Sequence, residues 1–285
     1  MRTVPHEDTA LTTQLDAAQQ ALADEAIIRN LAAQALAIWP QEELLVERYK
    51  LPISARILDV GCGTGEAPVR LVDKFPDASV IGVDGYPSRV EFAQRRHGGH
   101  STRLSFQHAD PYLLPFANDS QDLVVCRHLL QAMPFPERIL DELVRVTRPG
   151  GRLHLLCEDY GMFHFAPTTL DTDVFWREVT SVFGPATNTD LRIGRRAYSL
   201  LADRGIQQIS VEYVHVDTLR VNRDVCVQIV EAWRDGYSET LAQRSRLNRE
   251  EVLAYFDDMI GCIRNPRGYA VWQIPIATGI KPKTR

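Results

Sequence analysis

The sequence predicts an α/β protein with a doubly wound, seven-stranded sheet, helices before it and a helical insertion near its end. Three observations predict it. The stretch Ile57-Leu58-Asp59-Val60-Gly61-Cys62-Gly63-Thr64-Gly65 reads as a buried strand running into a glycine turn, with Glu66, Ala67 and Pro68 opening a helix. Short apolar runs then alternate with helical periodicities as far as residue 157, the pattern of βα units laid side by side. An acid, Asp84, closes the second apolar run about twenty residues past the glycines, where such folds bind a ribose.

Residues 1–8 read as disordered. Leu11, Leu15, Ala18 and Leu22 then recur at helical spacing, and Ile28, Leu31, Ala35 and Ile38 continue the stripe. Pro40 is expected to end this helix, with a second short one over residues 41–49. The stripe suits a helix packed on the core, a cap over the active site or a homodimer contact. After the glycine turn, helices are expected at 69–75, 87–96 and 136–146. Strands are expected at 80–83, 104–107, 122–126 and 152–157, the last preceded by a turn at Arg148-Pro149-Gly150-Gly151. Farther on, 172–183 and 192–203 read as helices, the second closed by Gly205, and 209–216 alternates as a sixth strand. Helical stretches at 225–233 and 249–263 precede a closing strand at 269–276. The expected organisation is a helical cap (1–50), a core (51–216), a helical lid insertion (217–266) and a return to the core (267–285).

The glycine turn separates two kinds of nucleotide ligand. A dinucleotide fingerprint needs a glycine at 66, where Glu66 stands. The pattern here is Asp-x-Gly-x-Gly-x-Gly. The Asp59 carboxylate would repel a pyrophosphate and would suit the amino group of a zwitterion.

This pattern resembles motif I of the class I S-adenosylmethionine (SAM) methyltransferases. Asp110, Leu114-Pro115-Phe116 and Asp122-Leu123-Val124 resemble the adenine-binding segment of the ubiquinone/menaquinone-biosynthesis type. Glu142-Leu143-Val144-Arg145-Val146-Thr147-Arg148-Pro149-Gly150-Gly151 is similar to that type's helix and turn before strand five. The resemblance covers about residues 50–157 and implies a Rossmann-like fold, SAM as cofactor and S-adenosylhomocysteine as product. It implies that Gly61, Gly63 and Gly65 bring backbone against the cofactor and that Asp59 faces its amino group through water. Asp84, followed by Gly85, would accept from the ribose, Asp110 from the adenine amine, and Arg127 and His128 would line the methionine end. Gln121 departs from the family's usual aromatic, and Gly85 from the usual apolar contact to adenine, which Tyr86 could supply.

Beyond Cys157 the resemblance weakens, and substrate choice is expected there. Side chains leaving the carboxyl end of strand five meet ligands in open α/β sheets. Glu158, Tyr160 and His164, with His128, are the candidates for acid/base or orienting roles. Oxygen and nitrogen acceptors are favoured slightly over carbon on an aromatic ring or isoprenoid. Trp176, Trp233, Tyr237 and Phe256 favour a small, partly apolar acceptor, such as a secondary metabolite, under the lid.

Composition narrows the alternatives. The formal net charge of the 285 residues is −5 with no long basic run, which argues against nucleic acid as partner. The absence of an Asn-Pro-Pro-Tyr motif argues likewise against a base-modifying enzyme. Five separated cysteines without a C-x-x-C spacing read as reduced thiols of a cytoplasmic protein, with no metal site. No apolar run approaches the roughly 18 residues of a membrane span. A macromolecule methyltransferase and a non-catalytic SAM-binding subunit are the remaining readings.

Overall fold

The computed structural model describes residues 7–283, with side chains described from Glu25 onward. Of residues 1–8, expected to be disordered, the first six lie outside the described part, as do the side chains of Leu11, Leu15, Ala18 and Leu22, whereas residues 7 and 8 open a helix. Eight strands form one sheet: β1 (Arg56–Val60), β2 (Ser79–Asp84), β3 (Leu104–His108), β4 (Gln121–Arg127), β5 (Thr147–Leu156), β6 (Phe163–Ala166), β7 (Gln207–Asp217) and β8 (Tyr269–Ile280). The helices are α1 (Glu7–Val46), α2 (Glu66–Lys74), α3 (Pro87–His97), α4 (Pro136–Val146), α5 (Thr172–Glu178), α6 (Gly184–Thr187), α7 (Ala197–Ala202), α8 (Arg223–Arg244) and α9 (Arg249–Arg264).

The strand order is β3-β2-β1-β4-β5-β8, with β7 on the far side of β8. The first five strands are parallel, and β8 runs antiparallel to β5 and β7. Parallel strands of this kind are buried on both faces, and β4 is buried at every position. The order reverses at β1 and β4, so their carboxyl ends open a crevice there.

The sheet carries one strand more than the sequence suggests. β8 is twelve residues long, and β5 pairs only with its part Ile276–Ile280. The remaining edge, Tyr269–Trp272, would leave backbone groups unpaired. β6 covers that edge in register Phe163↔Trp272. Residues 157–162 therefore leave the sheet after β5 and rejoin it as β6. Residues 148–151, expected as a turn, lie inside β5. Gly150 adopts φ +78°, and its amide bonds Lys281 O at 2.7 Å.

Pro40 lies inside α1 and does not end it. Proline removes one backbone donor and crowds the preceding turn. Both Pro40 and Leu36, whose carbonyl loses its partner, face solvent, so water can satisfy the freed group. α1 packs on α8, with Arg29 paired to Asp235 at 2.9 Å. α8 and α9 occupy the chain between β7 and β8 and bury Trp233, Val252, Phe256 and Ile260 against Phe163, Trp272 and Ile274. Among the described residues no helix is long and apolar enough to cross a membrane.

Candidate functional site

The glycine loop leaves β1 with three left-handed residues, Gly61 at φ +81°, Gly63 at +54° and Gly65 at +86°. Only glycine takes such angles in succession at low cost. A Cβ on Gly63 would meet Leu31 Cδ1 of α1 at 2.7 Å, so the loop is walled closely by that helix. Asp84 at the end of β2 receives the Gly63 amide at 2.9 Å on one oxygen and the Tyr86 amide at 2.9 Å on the other. It lines the crevice with Gly61, Gly63, Gly85 and Asp110. Asp110 is exposed, and one of its oxygens takes the Tyr112 amide at 2.9 Å. Tyr86 also lines the crevice, with the Arg89 guanidinium 4.1 Å from its ring centre.

Asp59 is 1% exposed. Burial pushes its carboxyl up to about 7, with Arg127 pulling the other way. Its Oδ1 has no partner. Around it, Gln34 Oε1, Thr64 Oγ1 and Arg127 Nε are likewise buried without partners. Each unpaired buried group costs about 1–3 kcal/mol, so this cluster is built to receive a polar ligand. Acceptor oxygens beside a guanidinium donor suit a zwitterionic amino acid.

Arg127, at the end of β4, is held from behind. Its Nη2 lies 2.8 Å from Glu42 Oε2 of α1. Burial alone would raise the Glu42 carboxyl, but Arg127, then His154, outweigh it and hold it at about 2. A carboxylate can only accept, so His154 Nε2 donates to Glu42 at 2.9 Å and Tyr49 Oη donates to Nδ1 at 2.7 Å. The chain Arg127–Glu42–His154–Tyr49 ties α1 to two central strands.

His128 follows at φ +54°, a conformation that turns it out of the strand line and into the crevice. Its Nδ1 bonds Glu158 Oε1. Glu158 is buried, not on a solvated turn. The turn is pinned because Asp159 clamps Arg195 through bonds of 2.6 and 2.8 Å. With Glu158 accepting, Nδ1 carries the proton, which leaves the buried, unpartnered Nε2 as an acceptor. Tyr160 stacks on Phe163 and Trp176, and its phenol is pushed well up by burial and then by Glu158. His164 stands elsewhere: it is exposed on β6, 3.9 Å from Asp173, and lines neither the crevice nor the aromatic cavity beside Trp176 and Phe256. Strand alternation explains this, since Phe163 takes the inward position and its neighbour must face out.

Two cavities adjoin at Tyr160. The crevice, of about 570 Å3, runs from Asp84 and Asp110 past His128 and Glu158 to Tyr160. The second, of about 310 Å3, continues among Trp176, Phe183, Leu241 and Phe256. Gln131, Ala132, Tyr160, Trp233 and Tyr237 line both. Each volume suits a small-molecule site. Helix α1 lines only the first through Ile27, Asn30, Leu31 and Gln34, whereas α8 roofs the second through Trp233, Tyr237 and Leu241. Helix α8 therefore roofs the second cavity, and α1 closes the loop side of the first. Asn30, Gln34 and Glu42 were not legible as site residues. The only signal was polar residues on the apolar stripe of a helix. Among the described residues no group of three or more His, Cys, Asp or Glu could hold a metal ion.

Residues 57–151 match the family model of a methyltransferase domain. Malonyl-[acyl-carrier protein] O-methyltransferase of Hahella chejuensis is 41% identical over 97 residues, 34% of each chain. Demethylmenaquinone methyltransferase of Thermus thermophilus is 36% identical over 101 residues, 35% of this chain and 46% of that one. The match thus spans less than half the length of these curated relatives. The Haemonchus contortus phosphoethanolamine N-methyltransferase 2 structure superposes with a TM-score of 0.59 at 18% identity, covering 91% of this chain and 57% of that one, a likeness of fold. With motif, strand order and family match in agreement, residues 57–151 are a class I, SAM-dependent methyltransferase domain that resembles the ubiquinone/menaquinone-biosynthesis type.

Proposed function

We propose that this chain transfers the methyl group of SAM to a small, partly apolar acceptor seated in the second cavity. The continuity of the two cavities through Gln131, Ala132, Tyr160, Trp233 and Tyr237 carries the reading. A nucleotide-sized crevice with a glycine loop opens directly into an aromatic chamber. Bound SAM supplies a methyl carbon already activated on a sulfonium. The chain's task is to align an acceptor with it, which can contribute roughly 7–11 kcal/mol. Asp84 holds the loop amides and keeps lone pairs for ribose hydroxyls. Asp110 suits the adenine amine. Arg127, seated by Glu42, suits a carboxylate.

The described lining of the second cavity carries no charged side chain, which favours a neutral acceptor body. His128 and Glu158 line the crevice, and the imidazole Nε2 can take a proton from an acceptor hydroxyl or amine that reaches it from the second cavity, with Glu158 holding the ring and stabilising the imidazolium. Tyr160 would orient the acceptor beside it. These features favour oxygen or nitrogen over carbon. Methylation of carbon on an aromatic ring or isoprenoid is the second reading, favoured by the likeness to demethylmenaquinone methyltransferase. All five cysteines are unpaired and buried, which fits a reducing compartment.

Incubation with methyl-labelled SAM and an extract of the source cells tests the reading. Label in a small, partly apolar metabolite is expected. Label in protein or nucleic acid, or in no product while S-adenosylhomocysteine binds, would overturn it.

A further inference from the structure

We infer that α1 contributes a ligand group of its own, with Gln34 receiving the ammonium of the cofactor's methionine end together with Asp59 and Thr64. The inference rests on the SAM reading above and goes beyond it, because it assigns part of the cofactor site to a helix outside the matched domain.

Three observations carry it. Gln34 is 3% exposed, yet its Oε1 has no partner, and the same holds for Asp59 Oδ1 at 1% and Thr64 Oγ1 at 2%. All three residues line one side chamber of about 20 Å3 beside Gly61, Arg127 and His128. That volume admits a single group the size of a water molecule. An ammonium has this size and offers three N–H donors for three waiting oxygens. Finally, α1 is fixed in place. Leu31 fills the space over Gly63, and Glu42, two turns past Gln34, pairs with Arg127 at 2.8 Å. A helix anchored at both points can hold an amide steady in the chamber.

A structural role for Gln34 alone would leave its oxygen bonded within the protein, and a helix face that only packs would carry leucine or alanine there. An amide with no partner in a polar chamber has the properties of a binding group.

Calorimetry with two probes tests this: S-adenosylhomocysteine, and its analogue that keeps the carboxylate but lacks the amino group. Gln34→Met preserves the side chain's length and removes its oxygen. It should weaken S-adenosylhomocysteine about 10- to 100-fold and the deamino analogue by no more than about threefold. Equal weakening of both probes would show a loss of helix seating and overturn the assignment, as would unchanged affinity for both. Should Gln34→Met fail to fold, Gln34→Glu replaces it. The glutamate retains an acceptor oxygen, so S-adenosylhomocysteine should bind at least as tightly as to wild type and the deamino analogue, with its unopposed carboxylate, more weakly. A parallel loss for both would again overturn it. Wild-type protein that binds neither probe would instead overturn the SAM reading, and this assignment with it.

Discussion

Asp59→Asn is expected to stabilise the ligand-free protein and to weaken its cofactor binding. Asp59 is fully buried, and its carboxyl is raised from the ordinary 3.8 to about 7, first by burial. Between about pH 4 and pH 7 the folded protein therefore holds a proton that the unfolded chain has released. Stability falls as pH rises across that window and stays low above it. A shift of about three units at about 1.4 kcal/mol each sets the cost near 4 kcal/mol above pH 7. Asparagine is neutral throughout and avoids it. Thermal unfolding at pH 8 should place the variant about 8–16 °C above wild type, at roughly 2–4 °C per kcal/mol. The difference should fall to less than half at pH 5, where wild-type Asp59 is itself protonated. S-adenosylhomocysteine should raise the melting temperature of wild type far more than that of the variant, because an ammonium beside Asp59 offsets the buried charge only when the charge is there. A shift of equal size at pH 8 and pH 5, or a variant less stable at pH 8, would refute the account of Asp59 as a strained ligand group.

Three further outcomes are expected. Glu42→Gln removes the charge between Arg127 and His154 and should cost about 3–5 kcal/mol in denaturant unfolding at pH 7. Since the Glu42 carboxyl is held at about 2 against an ordinary 4.5, its contribution is complete above pH 4.5 and fades towards pH 2, so the gap between variant and wild type should close across that window. Asp84→Ala frees the amides of Gly63 and Tyr86 as well as losing a ribose acceptor, and should weaken S-adenosylhomocysteine by about 100-fold or more in calorimetry; unchanged affinity would sink the ribose assignment. Glu158→Gln should lower kcat about 10- to 100-fold for the acceptor found by labelling, while S-adenosylhomocysteine affinity stays within about threefold. A matched loss of both would make the His128–Glu158 pair structural.

The local signals explain how much could be read from the chain alone. Asp59 to Gly65 encode their turn through backbone freedom, a property of the residues themselves. Asp84 and Asp110 are legible because each ends a short strand run, and strand ends of an open parallel sheet must meet the crevice. His128 was named for the same reason. His164 was misplaced because β6 arises from the unpaired edge of β8, more than a hundred residues away, and the pairing sets which way the side chain faces. Pro40 misled in the same manner, since a helix tolerates proline only where its freed carbonyl meets water, and that depends on which face the core covers.

By itself, then, the sequence determined the parallel core, the glycine loop and the acids around it, all of which follow from local backbone chemistry and the period of apolar residues. The tertiary structure alone decided that Gln34 reaches the crevice, that Glu42 seats Arg127 from behind, that Glu158 is buried against His128, and that α8 roofs the aromatic cavity. Those are contacts between segments far apart in the chain. A buried polar group acquires its role from whatever partner, or lack of one, packing brings to it.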